Sequence, residues 1–226
     1  MYEIIKPPAL RPGATIKIIA PSSMPGSMEG LSFAVNFLRK NGFKVSLSTS
    51  LTHASPGRFY SAGDNIRKME IENAFKNDDI GAIMALRGGA GSIDLLDILD
   101  YDVIREHPKV FIGYSDITLL QLAIFKKANL ITFQGPMLVD LLEKDESVLS
   151  FNWSLLLNMV REGNALELRN PLGSKWSKTI TEGKGRGTLL GGNLSMVSLV
   201  ANTKFMPKTE DSILFFEDVD IEPWMV

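Results

Sequence analysis

Short apolar runs that alternate with helical stretches fill the first part of the chain, and this alternation limits the possible folds more than any other feature. Thr15 to Ala20 reads as a strand ending at Pro21-Ser22-Ser23, and Glu29 to Lys40 reads as a helix. Asn41-Gly42 closes that helix by the usual C-terminal chemistry, and Phe43 to Leu47 alternates as a second strand. A helix from Asp64, with Asp64 placed as its N-cap, carries Ile66, Met69, Ile71, Ala74 and Phe75 at roughly helical spacing. Gly81 to Leu86 is a third strand running into Arg87-Gly88-Gly89-Ala90-Gly91-Ser92, and Ile93, Leu95, Leu96, Ile98 and Leu99 supply a further helix. Val110 to Ile112 is too short for a helix but suits a core strand, and Leu130 to Phe133 adds one more. About five strands interleaved with helices predict an α/β fold, a mainly parallel sheet with helices on both faces of the Rossmann or flavodoxin-like kind. In such sheets the ligand crevice lies beyond the carboxyl ends of the strands, and Ser22, Gly88, Gly89 and Ser115 all fall there.

The alternation breaks at Gln134-Gly135-Pro136. Helical stretches from Met137 to Glu143 and from Val148 to Arg161 read as a bridge. Beyond Gly163 come Ala165 to Leu168, a Gly/Lys-rich stretch from Thr181 to Gly187, and Thr188-Leu189-Leu190-Gly191-Gly192-Asn193. Leu194 to Ala201 can form a short helix, and Ser212 to Phe216 reads as a buried strand with Glu217 at its end. The expected organisation is an α/β domain over residues 1–145, a helical linker over 146–164, and an incomplete second domain with strands over 165–226. Thr49 to Gly63, with Pro56 and two glycines, reads as a long surface loop of the kind that often carries function.

Composition removes several classes of function. A formal net charge of -2 gives no basic footprint, so nucleic acid is not an expected partner. The absence of cysteine excludes disulfides, thiolate metal sites and cysteine nucleophiles. No segment has the ~20 apolar residues of a membrane span, and Met1 to Pro8 lacks the pattern of a secretory signal. A cytoplasmic location with no membrane partner is therefore the default.

The chemistry gathers at Gly113-Tyr114-Ser115-Asp116. Ser115 stands where a core strand runs straight into a helix whose stripe begins with Ile117, Leu119, Leu120 and Ala123. A serine in such a turn exposes its hydroxyl above the sheet, and the N–H of the following residue faces an oxyanion forming there. The alternative is that Ser115 or Asp116 merely caps the helix. Gly88, Gly89 and Gly91 let backbone approach a ligand closely, and their N–H groups suit a phosphate or an oxyanion. They lack the G-x-G-x-x-G spacing of a dinucleotide site, and a structural turn is the competing reading. Glu217, Asp218, Asp220 and Glu222 make an acidic run without histidine, which reads as a solvated turn rather than a metal site. No metal or cofactor is expected.

These blocks together resemble the LD-carboxypeptidase and microcin C immunity-type serine peptidases. The resemblance runs through Ala20-Pro21-Ser22, Ser61-Ala62-Gly63-Asp64 with Arg67, Arg87 to Ser92, and Leu99-Asp100-Tyr101-Asp102. It continues through Gly113 to Thr118, Gly191-Gly192-Asn193-Leu194-Ser195 and Phe216-Glu217-Asp218. It implies a Ser-His-Glu triad in which Ser115 attacks the carbonyl and Glu217 orients the histidine, with the N–H groups of Gly89 and Asp116 as the oxyanion hole. It also implies a small peptide substrate, the murein tetrapeptide with its L-to-D bond or a peptidyl-nucleotide antibiotic, and a homodimer. Gly88 and Asn193 are candidates for contacting substrate, Asn193 having the alternative of a left-handed turn; Trp176 is either a stacking platform or a loop anchor. Ala90 departs from the pattern, since many members have an aromatic residue there.

The histidine is the larger departure. In the family it comes well downstream of the Glu217 block, so it is expected beyond Val226, and these 226 residues alone are expected to be nearly inactive. His107 lies just before Pro108 at the amino end of the nucleophile strand, the wrong end for a base, and His53 lies in the long loop. A reading of another class also stands: a nucleotide-binding or interaction module without catalysis.

Overall fold

A computed structural model describes residues 3–222 and 224, apart from 26, 28, 53–59 and 163–177. Five parallel strands, β1 (Thr15–Ile19), β2 (Lys44–Leu47), β3 (Ile80–Ala85), β4 (Val110–Gly113) and β5 (Phe133–Gln134), form one sheet in the order β2-β1-β3-β4-β5. The period of two along the strands sorts their side chains between two cores. Ile16, Ile18, Ala82, Met84, Val110 and Ile112 face one way, against α1 (Leu31–Lys40) and α6 (Glu146–Glu162). Ile19, Ile83, Ala85 and Phe111 face the other, against α3 (Asp64–Lys76) and α5 (Thr118–Ala128). The expected sheet with helices on both faces is thus observed. Because the strand order reverses between β1 and β3, the loops after those strands diverge and leave a crevice at their carboxyl ends.

Local chemistry moves several boundaries. The stretch expected as a helix through Ile93 to Leu99 is a 3-10 turn, Ser92–Leu95, followed by α4 (Tyr101–Glu106). Asp100 imposes the break by capping α4, its carboxylate accepting from the N–H groups of Asp102 and Val103 at 3.1 and 3.2 Å. Asp64 is the first helical residue of α3 rather than its cap, a position taken by Gly63. The strand expected over Leu130 to Phe133 joins the ladder only at Phe133 and Gln134, since Leu130 instead makes a lone bridge with Ile5. The expected loop after β2 starts with a helical turn, α2 (Thr49–Thr52), and Met137 to Glu143 is a 3-10 turn over Leu138–Leu142. Ala165 to Leu168 lies outside the described residues.

The amino-terminal segment wraps the sheet edge and ends against α6. The Ile5 N–H donates to the Asn129 carbonyl at 2.8 Å, and the Leu10 N–H donates to the Val160 carbonyl at 2.8 Å. Trp153 of α6 sits edge-on to Phe37 and Phe43 and donates from Nε1 to Asn41 at 3.0 Å.

Among the described residues, a second sheet holds only β6 (Thr188–Asn193) and β7 (Ser212–Glu217), parallel and in register from Thr188 with Ser212 to Asn193 with Glu217. They are joined by α7 (Leu194–Val200), and β6 packs on α5 and α7. The expectation that Ser212 to Phe216 is a buried strand is corrected: Ile213, Leu214 and Phe216 are all exposed, because β7 lies on the outside of this pair. Among the described residues, no helix is long and apolar enough to cross a membrane.

Candidate active site

The carboxyl ends of β1, β3 and β4 converge on Ser115. β4 ends at Gly113, and after Tyr114 the chain enters a 3-10 turn, Ser115–Ile117, that leads directly into α5. Gly113 permits this tight turn, since a Cβ there would lie 2.6 Å from Ile117 Cγ2. Ser115 has φ +62°, a left-handed conformation that a residue with a Cβ adopts at a cost of about 1–2 kcal/mol. A capping serine has no need of it. Neither Ser115 nor Asp116 caps the turn with its side chain. The strained strand-to-helix corner is the geometry that presents a nucleophilic hydroxyl above a sheet.

Gly88 lies against this corner. A Cβ on Gly88 would sit 2.8 Å from Ser115 Cβ, 2.9 Å from Ser115 Oγ and 3.4 Å from Asp116 N, so any larger residue would displace the hydroxyl. Gly89 follows with φ +120° and packs on Ser23, whose Oγ accepts the Ala90 N–H at 3.0 Å. Arg67, almost wholly buried, fixes the glycine loop from behind. Its Nη1 donates to the carbonyls of Pro21 and Gly91, the latter at 2.8 Å, and its Nη2 pairs with Asp64 at 2.7 Å.

The Asp116 side chain performs a task that sequence patterns do not reveal. Its buried Oδ2 accepts from Ser22 Oγ at 2.5 Å and from the Ser92 N–H at 3.0 Å, and the two serine hydroxyls lie 2.9 Å apart. One carboxylate thus binds together the loops after β1, β3 and β4. A charge-assisted bond of this kind is stronger than a neutral one and holds its partners closely.

Glu217 reaches the same corner from the other sheet. Burial pushes its carboxyl above the ordinary glutamate value and the charge of Asp218 adds to this, while the Asn193 side chain and the Ser115 N–H favour the ionised form. Its Oε1 is buried without a hydrogen-bond partner among the described residues, an unusual state for a carboxylate oxygen. Asp218 turns away. Hydrogen bonds from Ser195 Oγ at 2.6 Å, with the N–H groups of Val219 and Ser195 and Asn193 Nδ2, lower its pKa to about 2. Among the described residues, no group of three or more carboxylates and histidines could hold a metal.

Asn193 is an N-cap rather than a left-handed turn. Its backbone is extended, with φ -61° and ψ 123°, and its Oδ1 accepts the Met196 N–H at 3.2 Å. The positive φ values fall on Gly191 and Gly192 instead. Tyr114 donates from its hydroxyl to Asp140 at 3.0 Å beside a cavity of about 600 Å3 lined by Gly135, Pro136, Val139 and Asn152. Burial and the adjacent Asp140 push the Tyr114 phenol above its usual range, so it stays a hydrogen-bond donor. His107 follows α4 at the amino end of β4, remote from Ser115. His53 and Trp176 lie outside the described residues.

Comparison with known proteins identifies relatives of the chain and of its fold. Residues 16–135 match the LD-carboxypeptidase N-terminal domain and residues 186–226 the LD-carboxypeptidase C-terminal domain. A Bacillus subtilis protein described as a "Probable murein peptide carboxypeptidase" is 36% identical over 98% of this chain and 67% of its own length. The Escherichia coli microcin C7 self-immunity protein MccF is 31% identical over 81% of this chain and 60% of its own length. Its structure with aspartyl sulfamoyl adenosine superimposes with a TM-score of 0.79 at 27% identity, over 93% of this chain and 70% of that one. The crystal structure of a MccF-like protein from Bacillus anthracis superimposes with a TM-score of 0.83 at 34% identity, over 95% of this chain and 70% of that one.

Proposed function

The chain belongs to the LD-carboxypeptidase family, and on that premise we propose that it is a serine peptidase that hydrolyses the L-to-D peptide bond of murein tetrapeptides in cell-wall recycling. The observation that carries this reading is the meeting of Ser115, strained at its corner, with a Glu217 carboxylate whose Oε1 is buried and unpartnered. An oxygen in that state is suited to accept an imidazole N–H.

In the proposed reaction, Ser115 Oγ attacks the carbonyl carbon and its proton passes to a histidine, which the family places well after the Glu217 block. Glu217 accepts the other N–H of that ring, holding its tautomer and stabilising the imidazolium. The tetrahedral oxyanion faces the N–H groups of Gly89 and Asp116. Collapse breaks the C–N bond, the imidazolium protonates the departing amine, and water then releases the acyl group by the same route. Gly88 leaves room for the substrate carbonyl beside the hydroxyl, and the wall of Tyr114 and Asp140 supplies polar groups for the peptide.

A second reading within the family is hydrolysis of a peptidyl-nucleotide that gives immunity to an antibiotic, favoured by the likeness to MccF and its complex with aspartyl sulfamoyl adenosine. A non-catalytic nucleotide-binding module is the reading from another class. A fluorophosphonate probe separates them in the protein that carries the histidine. The expected result is labelling of Ser115, lost in Ser115→Ala, together with release of the terminal D-residue from a murein tetrapeptide. Labelling with turnover only of a peptidyl-nucleotide would select the immunity reading. No labelling would sink the enzyme.

A further inference from the structure

We infer that Thr118 is a positioning residue that holds Glu217 at its distance from Ser115, an inference that rests on the triad reading above. Thr118 is fully buried at the start of α5, three residues after Ser115. Its Oγ1 accepts the backbone N–H of Asn193 at 3.1 Å and the Gln134 side-chain amide at 3.2 Å. Those two donors occupy both lone pairs of a hydroxyl.

Asn193 is the last residue of β6 and stands opposite Glu217, the last residue of β7, in the parallel ladder. A displacement of the Asn193 backbone therefore carries Glu217 with it. The preceding residue makes the approach close: a Cβ on Gly192 would fall 2.6 Å from Thr118 Oγ1 and 2.5 Å from Gln134 Nε2. On the other side the amide of Gln134 also donates to Gln121 Oε1 at 3.0 Å. Gln121 in turn donates to the carbonyls of Gly113 and Phe133 at 3.0 and 2.8 Å. Thr118 thus joins β6 to the ends of β4 and β5, the framework that holds the nucleophile. Its hydroxyl accepts from Asn193 and Gln134 and not from Ser115, so its action on the reaction passes through Glu217.

Thr118→Val keeps the side-chain shape and removes the acceptor, whereas Thr118→Ser keeps the acceptor and removes a methyl. In the intact enzyme, Thr118→Val is expected to lower kcat about 100-fold with KM within about twofold, the scale of a misplacement near 1 Å. Amide exchange over residues 188–193 should become faster in that variant while the β4 amides remain protected. Thr118→Ser should restore both kcat and exchange. Wild-type kcat in Thr118→Val, or an equal loss in both variants, would overturn the assignment. If Thr118→Val does not fold, exchange in the unaltered protein decides: the Asn193 amide must exchange far more slowly than that of exposed Lys184, and equal rates would end the proposal. Full turnover by Ser115→Ala would instead remove the triad reading, and exchange at 188–193 would still report on the Thr118 bond.

Discussion

The two sheets of this protein hold the two halves of the proposed site by different means. The five-stranded sheet is covered on both faces, its central strands lie within packed cores, and the loop that carries Ser115 is tied to its neighbours through Asp116. The two-stranded sheet exposes Ile213, Leu214 and Phe216 and meets the first through β6 and the first turn of α5. Parallel sheets ordinarily have both faces covered. The contrast separates two ways of placing a side chain: Ser115 is fixed by a core, and Glu217 by strand register.

The largest effect that could break this contrast is chemical. Glu217→Gln should lower kcat about 10⁴-fold, the scale on which a triad fails when its acid can no longer hold the histidine tautomer, without lowering the melting temperature. A large loss of stability would show that Glu217 is a structural residue of the core. The next effect is energetic. Phe111→Ala, in a fully buried strand and stacked on Phe75, should cost about 3–5 kcal/mol in denaturant unfolding, as core aromatics do.

A third expectation concerns pH. In the proposed triad Glu217 acts ionised, and its raised pKa would then place the acid limb of kcat/KM above the range of an exposed glutamate. Asp218→Asn removes the adjacent negative charge and should move that limb downward. The stability effects have opposite signs. The raised Glu217 favours the folded state most fully below its unfolded value and loses that contribution as pH rises through the folded value. Asp218 stabilises above its ordinary value and loses the contribution as pH falls towards about 2. The smallest effect belongs to the outer face of β7: Phe216→Ala in the 226-residue chain should change stability by less than about 1 kcal/mol, as substitutions away from packed sites do. A cost equal to that of Phe111→Ala would erase the difference between the sheets.

The elements most legible in the sequence are those whose own period records their surroundings. Ile16 and Ile18 against Ile19, and Val110 and Ile112 against Phe111, announce a sheet buried on both sides. The Ser115 corner is visible because a core strand and a helical stripe leave only Tyr114 and the short turn between them. β7 misleads for the same reason: Ile213 to Phe216 is as apolar as a core strand, and composition cannot say whether anything lies over it. Asn193 is of a residue type that tolerates a left-handed turn, yet the adjacent Gly191 and Gly192 carry the positive φ and leave it free to cap α7. The bond from the Asn193 N–H to Thr118 leaves no trace in the sequence. Its donor is a backbone group that every residue but proline possesses, and its partners are 75 positions apart.

The bond from Leu10 to Val160 brings the start of the five-stranded unit beside the end of α6. A unit whose ends adjoin is modular in the evolutionary sense: recombination can exchange the polypeptide downstream of α6 without rethreading a single strand. Any second half joined there has to meet the Ser115 corner as this one does, with a backbone N–H on Thr118 and a carboxylate beside the Ser115 N–H.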